Sequence, residues 1–228
     1  MKRKAFLIAN NGDLKGTILD VELVRSFLTS PRGGHWHQDE IDYLINPSKD
    51  DLIVKLAMAK VDNYDFVIVH FSGHGGQAVN SLILEINPKE ETISSSILFN
   101  LAKRQVSIFD CCRVGDTPAL ESLAFDSVTE AYKDTRATYD RMIMNAAEQQ
   151  LKLYGCASNE VSSEDEDGGY YTQALFRTAM SSSEPFLTFN KAHETAAALV
   201  RRRSNLTQNP EIVSGRHLSS QNLVMAVS

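Results

Sequence analysis

A histidine and a cysteine, each shortly after an apolar segment, have the residue types of a catalytic pair. His74 follows the apolar run 66–71. Cys112 follows the apolar run 106–109. A cysteine thiol is a weak nucleophile at neutral pH, because its pKa is about 8.5. A nearby imidazole can take the thiol proton and later protonate a leaving amine, so the pair indicates nucleophilic catalysis by sulfur.

The residues next to this pair could stabilise the charge that such a reaction develops. Gly75 has no side chain, so its backbone N–H can approach a substrate and help to bind an oxyanion. The backbone N–H of Cys112 is the natural second donor. Alone, His74 or Cys112 would more often be an ordinary strand-end residue, and a free cysteine is often a small buried apolar side chain. Their joint occurrence favours catalysis.

The elements that must position this pair follow from the apolar periodicity of the chain. We predict strands at 4–9, 41–45, 66–71, 82–86, 106–109 and 151–156. We predict helices at 17–28, from a cap at Ser48 to about 59, and at 93–103, 171–180 and 190–203. Near-continuous apolar strands separated by helices indicate an α/β fold with a mainly parallel sheet and helices on both faces. Such sheets place their sites at the carboxyl ends of the strands.

Composition limits the class of protein further. The 228 residues, of which 43% are hydrophobic, fit a single domain, with an insertion or linker at about 115–150. The net charge of −6 argues against a nucleic-acid binder. No segment approaches the roughly 20 apolar residues of a membrane span. Three cysteines, two of them adjacent, suit a reducing compartment, so we expect a cytoplasmic protein.

No pattern in the sequence predicts a metal ion or a cofactor. The acidic run 164–167 lacks the alternation of ligands in an EF-hand loop. We predict that it is a solvated surface loop. No cofactor and no metal are therefore expected for the chemistry.

The segments around His74 and Cys112 resemble the caspase/metacaspase superfamily of cysteine peptidases. The similarity is greater to metacaspase-type and prokaryotic members than to animal caspases. It covers about residues 4–180. The matching segments are S-G-H-G at 72–75, F-D-C-C-R at 109–113, L-K-G-T-I-L-D at 14–20, Y-G-C-A-S at 154–158 and G-Y-Y-T at 169–172.

This resemblance implies a caspase-like fold and an endopeptidase acting on protein or peptide substrates. Cys112 would be the nucleophile and His74 the acid and base. The N–H groups of Gly75 and Cys112 would bind the oxyanion. No cofactor would be needed.

The resemblance also implies an acidic pocket for the residue before the scissile bond. Its matching positions are Thr17, Asp20, Ser72 and Asp110. Two carboxylates in a partly buried pocket require a cationic partner, because unpaired buried charge is costly. We therefore expect cleavage after Arg or Lys. The alternative is that Asp20 lies on the solvent side of its helix and Asp110 caps the following turn.

Regulation is expected because the chain carries no recognisable sensor module. We expect a partner protein or a signalling ligand to activate it, and prokaryotic relatives suggest a role in regulated cell death or antiviral defence. Lys133, Arg136 and Arg141 are candidate self-processing positions. The alternative is activation without a cut.

Two departures from the family pattern leave other functions open. Arg113-Val114-Gly115 stands where metacaspases commonly have H-S-G, and Thr17 replaces the usual cysteine. One alternative is a pseudoprotease that binds a peptide without cutting it. The other is a small-molecule hydrolase or ligand-binding effector, although the glycines after Ser72 lack the context of a phosphate-binding loop.

Overall fold

A computed structural model describes residues 1–14, 16–79, 81–114 and 135–228. Its strands are β1 (Arg3–Ala9), β2 (Ile41–Ile45), β3 (Tyr64–Ser72), β4 (Gly75–Gln77), β5 (Leu82–Glu85), β6 (Thr92–Ser94), β7 (Ala102–Asp110), β8 (Gln149–Tyr154), β9 (Glu164–Asp165), β10 (Gly168–Gly169), β11 (Phe186–Thr188), β12 (Glu211–Val213) and β13 (Val224–Val227). Its α-helices are α1 (Gly16–Thr29), α2 (Lys49–Val61), α3 (Thr135–Asn145), α4 (Tyr170–Ser181) and α5 (Phe189–Arg203).

The central sheet has six strands in the order β12-β8-β7-β3-β1-β2. Five of them are parallel, and only the edge strand β12 pairs in the antiparallel sense, with β8. The prediction of a mainly parallel α/β sheet is therefore confirmed. A separate antiparallel sheet, β4-β5-β6, follows directly after β3.

Alternation along the strands divides the core into two clusters, one on each face of the sheet. Leu7 and Ile68 pack in the cluster that includes side chains of α1, α3, α4 and α5. Phe6 and Val69 pack in the other cluster, with side chains of α2 and β5. Successive side chains of a strand point to opposite faces, so apolar strands fill both clusters. Helices on both faces are thereby confirmed.

The two central strands end at the same level. Ser72, the last residue of β3, is the register partner of Asp110, the last residue of β7. Ser72 lies two residues beyond His70, and Asp110 two beyond Ile108, so both continue the face covered by α1. The next residue, Cys111, packs on the opposite face. This register places polar side chains from both strands beside α1.

The helix predicted at 93–103 does not form. That segment contains β6, a 3-10 turn over Ser95–Leu98, and the first residues of β7. The Ser94 side chain accepts a hydrogen bond from the backbone N–H of Ser96, which competes with helix formation. Asn100 then adopts a φ of 56°, a left-handed conformation that interrupts any helix.

The second half of the predicted insertion belongs to the fold. Helix α3 buries Tyr139 and Ile143 in the core cluster that also contains side chains of α1. Arg3 on β1 holds this helix through a 2.8 Å hydrogen bond to Asp140. The candidate insertion thus narrows to 115–134, which lies outside the described residues.

The acidic run 164–167 forms a small hairpin, so its prediction as a solvated loop was wrong. β9 and β10 pair antiparallel within it. Gln173 donates a 2.7 Å hydrogen bond to Asp165, and Arg203 on α5 forms an ion pair with the same carboxylate. These contacts fix the hairpin against α4 and α5.

No helix among the described residues is long and apolar enough to cross a bilayer. All three cysteines have free thiols.

Truncating Ile143 tests whether α3 is part of the core. Ile143 has no exposed surface, so Ile143→Ala should lower the free energy of unfolding by about 2–5 kcal/mol. Met144, the next residue, is 42% exposed, and Met144→Ala should change it by less than about 0.5 kcal/mol. Urea denaturation of the two variants gives the comparison. Equal effects would mean that α3 does not pack as described.

Candidate active site

A cavity of about 310 Å³ opens at the carboxyl ends of β3 and β7. It brings together six of the residues predicted from sequence: Thr17, Asp20, Ser72, His74, Asp110 and Cys112. They come from α1, from the ends of the two central strands and from the segments that follow them. The seventh predicted residue, Gly75, begins β4 immediately after His74.

The two adjacent cysteines have different surroundings. Cys111 is 3% exposed and packs in the apolar cluster on the α2 face. Cys112 is half-buried. Burial raises the pKa of both thiols, and that of Cys111 lies well above its ordinary value. The difference in access favours Cys112 as the reactive thiol.

The Cys112 thiol lies 3.7 Å from the backbone carbonyl oxygen of Ser162, to which its S–H group donates. Burial has the largest effect on the Cys112 pKa and raises it, whereas the backbone of Ser162 lowers it. The net shift is upward, so a nearby base would be needed to form the thiolate.

The imidazole of His74 is held by a residue that the sequence analysis did not identify. Nε2 of His74 lies 2.6 Å from Oδ1 of Asp13. This hydrogen bond lowers the pKa of the Asp13 carboxyl. This contact occupies Nε2, so a proton accepted from elsewhere in the cavity would go to Nδ1. Asp13 lies in the turn between β1 and α1, where an aspartate usually signals only a turn, so sequence gave no functional signal.

Gly75 lies directly against the cysteines. A Cβ atom at this position would be 2.7 Å from Sγ of Cys111 and 2.8 Å from the carbonyl oxygen of Cys112. Only glycine allows so close an approach of two backbone segments. The contact keeps the Gly75 backbone beside Cys112, as an oxyanion site would require.

The carboxyl groups of Asp20 and Asp110 are buried and fully hydrogen-bonded. Asp20 accepts from the Ser72 hydroxyl at 2.6 Å and from the Gly169 N–H at 2.9 Å. Asp110 accepts from the N–H and the hydroxyl of Thr172, both at 2.8 Å, and from the Ser162 hydroxyl at 2.5 Å. Neither carboxyl faces solvent, so the alternative in which Asp20 lies on the outer side of its helix is wrong.

Burial raises the pKa of both aspartates. The negative charge of Asp110 raises the pKa of Asp20 further, to well above its ordinary value. A cation close to the two groups would favour their ionised forms.

A buried histidine, His70, is linked to Asp110 through the hydroxyl of Thr172. The hydroxyl of Thr172 donates to Asp110, so it accepts from Nε2 of His70 at 3.1 Å. Burial lowers the His70 pKa to about 3, which keeps the imidazole neutral.

Thr17 contributes to the cavity wall. Its hydroxyl donates a 2.9 Å hydrogen bond to the Leu14 carbonyl.

Glu164 is a third acidic residue of the cavity that the sequence analysis did not identify. Burial, and then the charge of Asp110, raise its pKa to about 7. Its position depends on the β9–β10 hairpin, which has no periodic signature in the sequence.

Comparison with known proteins identifies the family of this chain. The family model described as the caspase domain matches residues 2–219. The chain belongs to the caspase-domain family. Comparison with curated protein sequences gives no match.

Solved structures similar to this caspase domain show the same fold at low identity. A protein from Geobacter sulfurreducens superposes with a TM-score of 0.63 and 15% identity, over 97% of each chain. Caspase-1 from Spodoptera frugiperda superposes with a TM-score of 0.61 and 12% identity, over 93% of this chain and 86% of its own.

Outside its cleft, the caspase domain holds Arg113 and one of the three candidate processing positions, Arg136, in ion pairs. Arg113 forms an ion pair with Glu211 at 2.6 Å, away from the substrate cavity. Arg136 lies in the first turn of α3 and pairs with Glu40 at 2.6 Å. Arg141 is exposed on the same helix, and Lys133 lies outside the described residues. Cleavage after Arg136 or Arg141 stays a prediction, and it would require α3 to unwind.

Among the described residues, no group of three or more His, Cys, Asp and Glu side chains is arranged to hold a metal ion.

Thiol alkylation tests which cysteine of the caspase domain is reactive. With limiting iodoacetamide near pH 7.5, we expect modification of Cys112 before Cys111 or Cys156, because the other two thiols are buried. Peptide mass spectrometry identifies the modified residue. His74→Ala should slow the reaction of Cys112. Initial modification of Cys111 would contradict the assignment.

The same assay tests the contact between Asp13 and His74. Asp13→Asn should slow Cys112 alkylation by about two- to fivefold, because an exposed charge pair contributes up to about 1 kcal/mol. The effect is modest because the Asp13 side chain is 58% exposed. Asp13→Glu should restore part of the rate, whereas the exposed control Asp50→Asn should change nothing. An unchanged rate in Asp13→Asn would show that Asp13 does not act through His74.

Proposed function

We propose that this caspase domain is a cysteine endopeptidase that cleaves protein substrates after Arg or Lys through a Cys112–His74 dyad. Membership of the family implies protein substrates. The proposal rests on one observation. A single cavity contains a half-buried thiol, an oriented imidazole and two buried carboxylates.

The chemistry proposed for the dyad has two stages. Nδ1 of His74 takes the proton of the Cys112 thiol, and the sulfur attacks the carbonyl carbon of the scissile peptide. The imidazolium gives its proton to the leaving amine as the C–N bond breaks, which leaves a thioester. Water, deprotonated by His74, then hydrolyses the thioester, and the imidazolium returns a proton to the sulfur.

The oxyanion of each tetrahedral intermediate would receive hydrogen bonds from the N–H groups of Gly75 and Cys112. Close packing between Gly75 and the backbone of Cys112 supports this role. Removing one donor of this kind typically slows catalysis by about 100- to 1,000-fold.

The cavity supports basic specificity through charge. Thr17, Ser72, Asp20 and Asp110 all line the cavity, and the two aspartates give it an acidic character. Transferring a basic side chain to this site would pair a cation with carboxylates that otherwise repel each other. An acidic side chain there would bring a third negative charge beside them.

We also propose that activation involves a partner protein or a signalling ligand. The support is the burial of the Cys112 thiol, which raises its pKa above the ordinary value. A place in regulated cell death or antiviral defence, in the cytoplasm, rests on the resemblance to prokaryotic caspase-like proteins.

Hydrolysis of fluorogenic peptides tests the reaction and its specificity together. The peptides differ only in the residue before the cut, which is Arg, Lys, Asp or Leu. We expect cleavage after Arg and Lys, complete loss of activity in Cys112→Ala, and a rate at least 100-fold lower in His74→Ala. Each assay is run with and without host lysate, because the lysate would supply the proposed activator.

Other outcomes would each replace part of the proposal. Cleavage after Asp that depends on Cys112 would keep the peptidase and reject the acidic pocket. No cleavage under any condition, combined with a Cys112 that alkylates no faster than free cysteine, would favour a pseudoprotease that binds peptides without cutting them.

A further inference from the structure

A second and larger cavity, of about 760 Å³, lies beside strand β4, and we call it the β4 groove. All three residues of β4 line it, together with Val114, which comes two residues after Cys112. His74 is the one described residue that lines both this groove and the cavity at the ends of β3 and β7. The β4 groove therefore begins at the imidazole of the proposed dyad.

The reaction proposed above determines what could occupy this groove. The residue before the scissile bond would lie in the cavity that contains Asp20 and Asp110. His74 would protonate the leaving amine, so the substrate segment attached to that amine must pass beside the imidazole. The space that continues from His74 is the β4 groove.

Strand β4 has an open edge that could pair with such a segment. It is an outer strand of the sheet β4-β5-β6, so β5 covers only one of its edges. The Glu85 N–H donates to the His74 carbonyl at 3.0 Å. In the alternating pattern of an antiparallel ladder, Gly75 and Gln77 then direct their N–H and C=O groups away from β5. None of these groups forms a backbone hydrogen bond with another described residue.

The missing side chain of Gly76 leaves the groove open. A Cβ atom at this position would have a single neighbour within 4 Å among the described residues, the Val114 carbonyl oxygen at 3.5 Å. That distance is an ordinary van der Waals contact, and Gly76 is not among the residues with positive φ. The backbone could accept a larger residue here, so the glycine provides space rather than a special conformation.

The charge of the β4 groove is acidic. Asp13, Glu85 and Glu90 line it, and no described lysine or arginine does. Glu90 is exposed at the rim, whereas Glu85 is half-buried and accepts a 2.9 Å hydrogen bond from Asn10. A basic side chain of a bound peptide would be the complementary group.

We propose that the β4 groove binds the substrate segment after the scissile bond as an extended strand along β4, and that it favours a basic side chain in that segment. This inference rests on the proposed function. Edge pairing supplies affinity through the backbone, while the side chains supply selectivity. Because β4 has three residues, we expect it to contact about three substrate residues.

Two substrates that differ only after the cut test the groove. Both have the same residue before the cut, whichever the fluorogenic panel favours. The short one ends there in an aminocoumarin, and the spanning one continues for four residues. We expect Gly76→Leu to lower the spanning:short ratio of kcat/KM values about tenfold, since it would displace the strand from two backbone hydrogen bonds.

The matched control is Val79→Leu. Val79 is 98% exposed, follows β4 and does not line the groove, so the ratio should stay at the wild-type value. Thermal unfolding shows whether each variant is folded, and Gly76→Ala replaces Gly76→Leu if the larger side chain prevents folding. An equal ratio in the folded Gly76 variant and the wild type would overturn the proposal.

The charge preference has its own test. Spanning substrates carry Lys, Ala or Glu at the second position after the cut. Glu90→Gln should lower the Lys:Ala ratio of kcat/KM values about two- to fivefold, the range expected for an exposed ion pair. Glu166→Gln, an exposed residue of the β9–β10 hairpin, should not change it. Equal rates for Lys, Ala and Glu in the wild type would overturn the basic preference.

A binding arm keeps this inference separate from the proposed function. Fluorescence anisotropy with Cys112→Ala protein measures the affinity for a pentapeptide that has a free amino terminus, Lys at its second position and a fluorophore at its carboxyl end. Binding that Gly76→Leu weakens about tenfold would support the β4 groove even if the wild type cuts no peptide. No binding, or equal binding in the two proteins, would overturn the inference whether or not the protein is a peptidase.

Discussion

Two carboxyl groups buried side by side are the constraint on which the cleft depends. Asp20 and Asp110 come from different elements. Their donors come from the end of β3, the loop before β9, the β9–β10 hairpin and α4. Burying a carboxylate without hydrogen-bond donors would cost several kcal/mol of stability. The segments that supply the donors are therefore held in place by their hydrogen bonds to the two carboxyl groups. The hydrogen bonds therefore determine the shape of the cavity as well as its charge.

The same constraint determines the electrostatics of the cleft. Both carboxyl groups are buried, and their hydrogen bonds come from hydroxyl and backbone N–H groups. Burial raises the pKa of both groups, and the charge of Asp110 raises the pKa of Asp20 further. The basic specificity proposed above depends on this arrangement, because a cation beside the two groups would favour their ionised forms.

The site residues that lie at or just after the ends of strands were predicted from the sequence. His74, Cys112 and Asp110 follow apolar strands, and parallel strands bring their ends together. Asp13 and Glu164 were missed by the sequence analysis. A turn positions Asp13, and a hairpin of two-residue strands positions Glu164. Neither element leaves a periodic signal in the sequence. The failed helix at 93–103 has a similar origin: its apolar spacing is compatible with a helix, but local serine hydrogen bonds and Asn100 override it.

The glycines of the hairpin have a consequence for how this pocket can evolve. Side chains on Gly168 or Gly169 would collide with the buried carboxylates, so the hairpin cannot acquire new contacts by simple substitution. Replacing Asp20 or Asp110 would leave several hydrogen-bond donors without an acceptor. Each unpaired donor would lower the stability of the protein by about 1–3 kcal/mol. A mutational route that removes the carboxyl groups of this cleft must therefore pass through intermediates of low stability. Such a route requires coordinated changes in α1, β7 and the hairpin, so the stability of the fold protects the acidic character of the cleft.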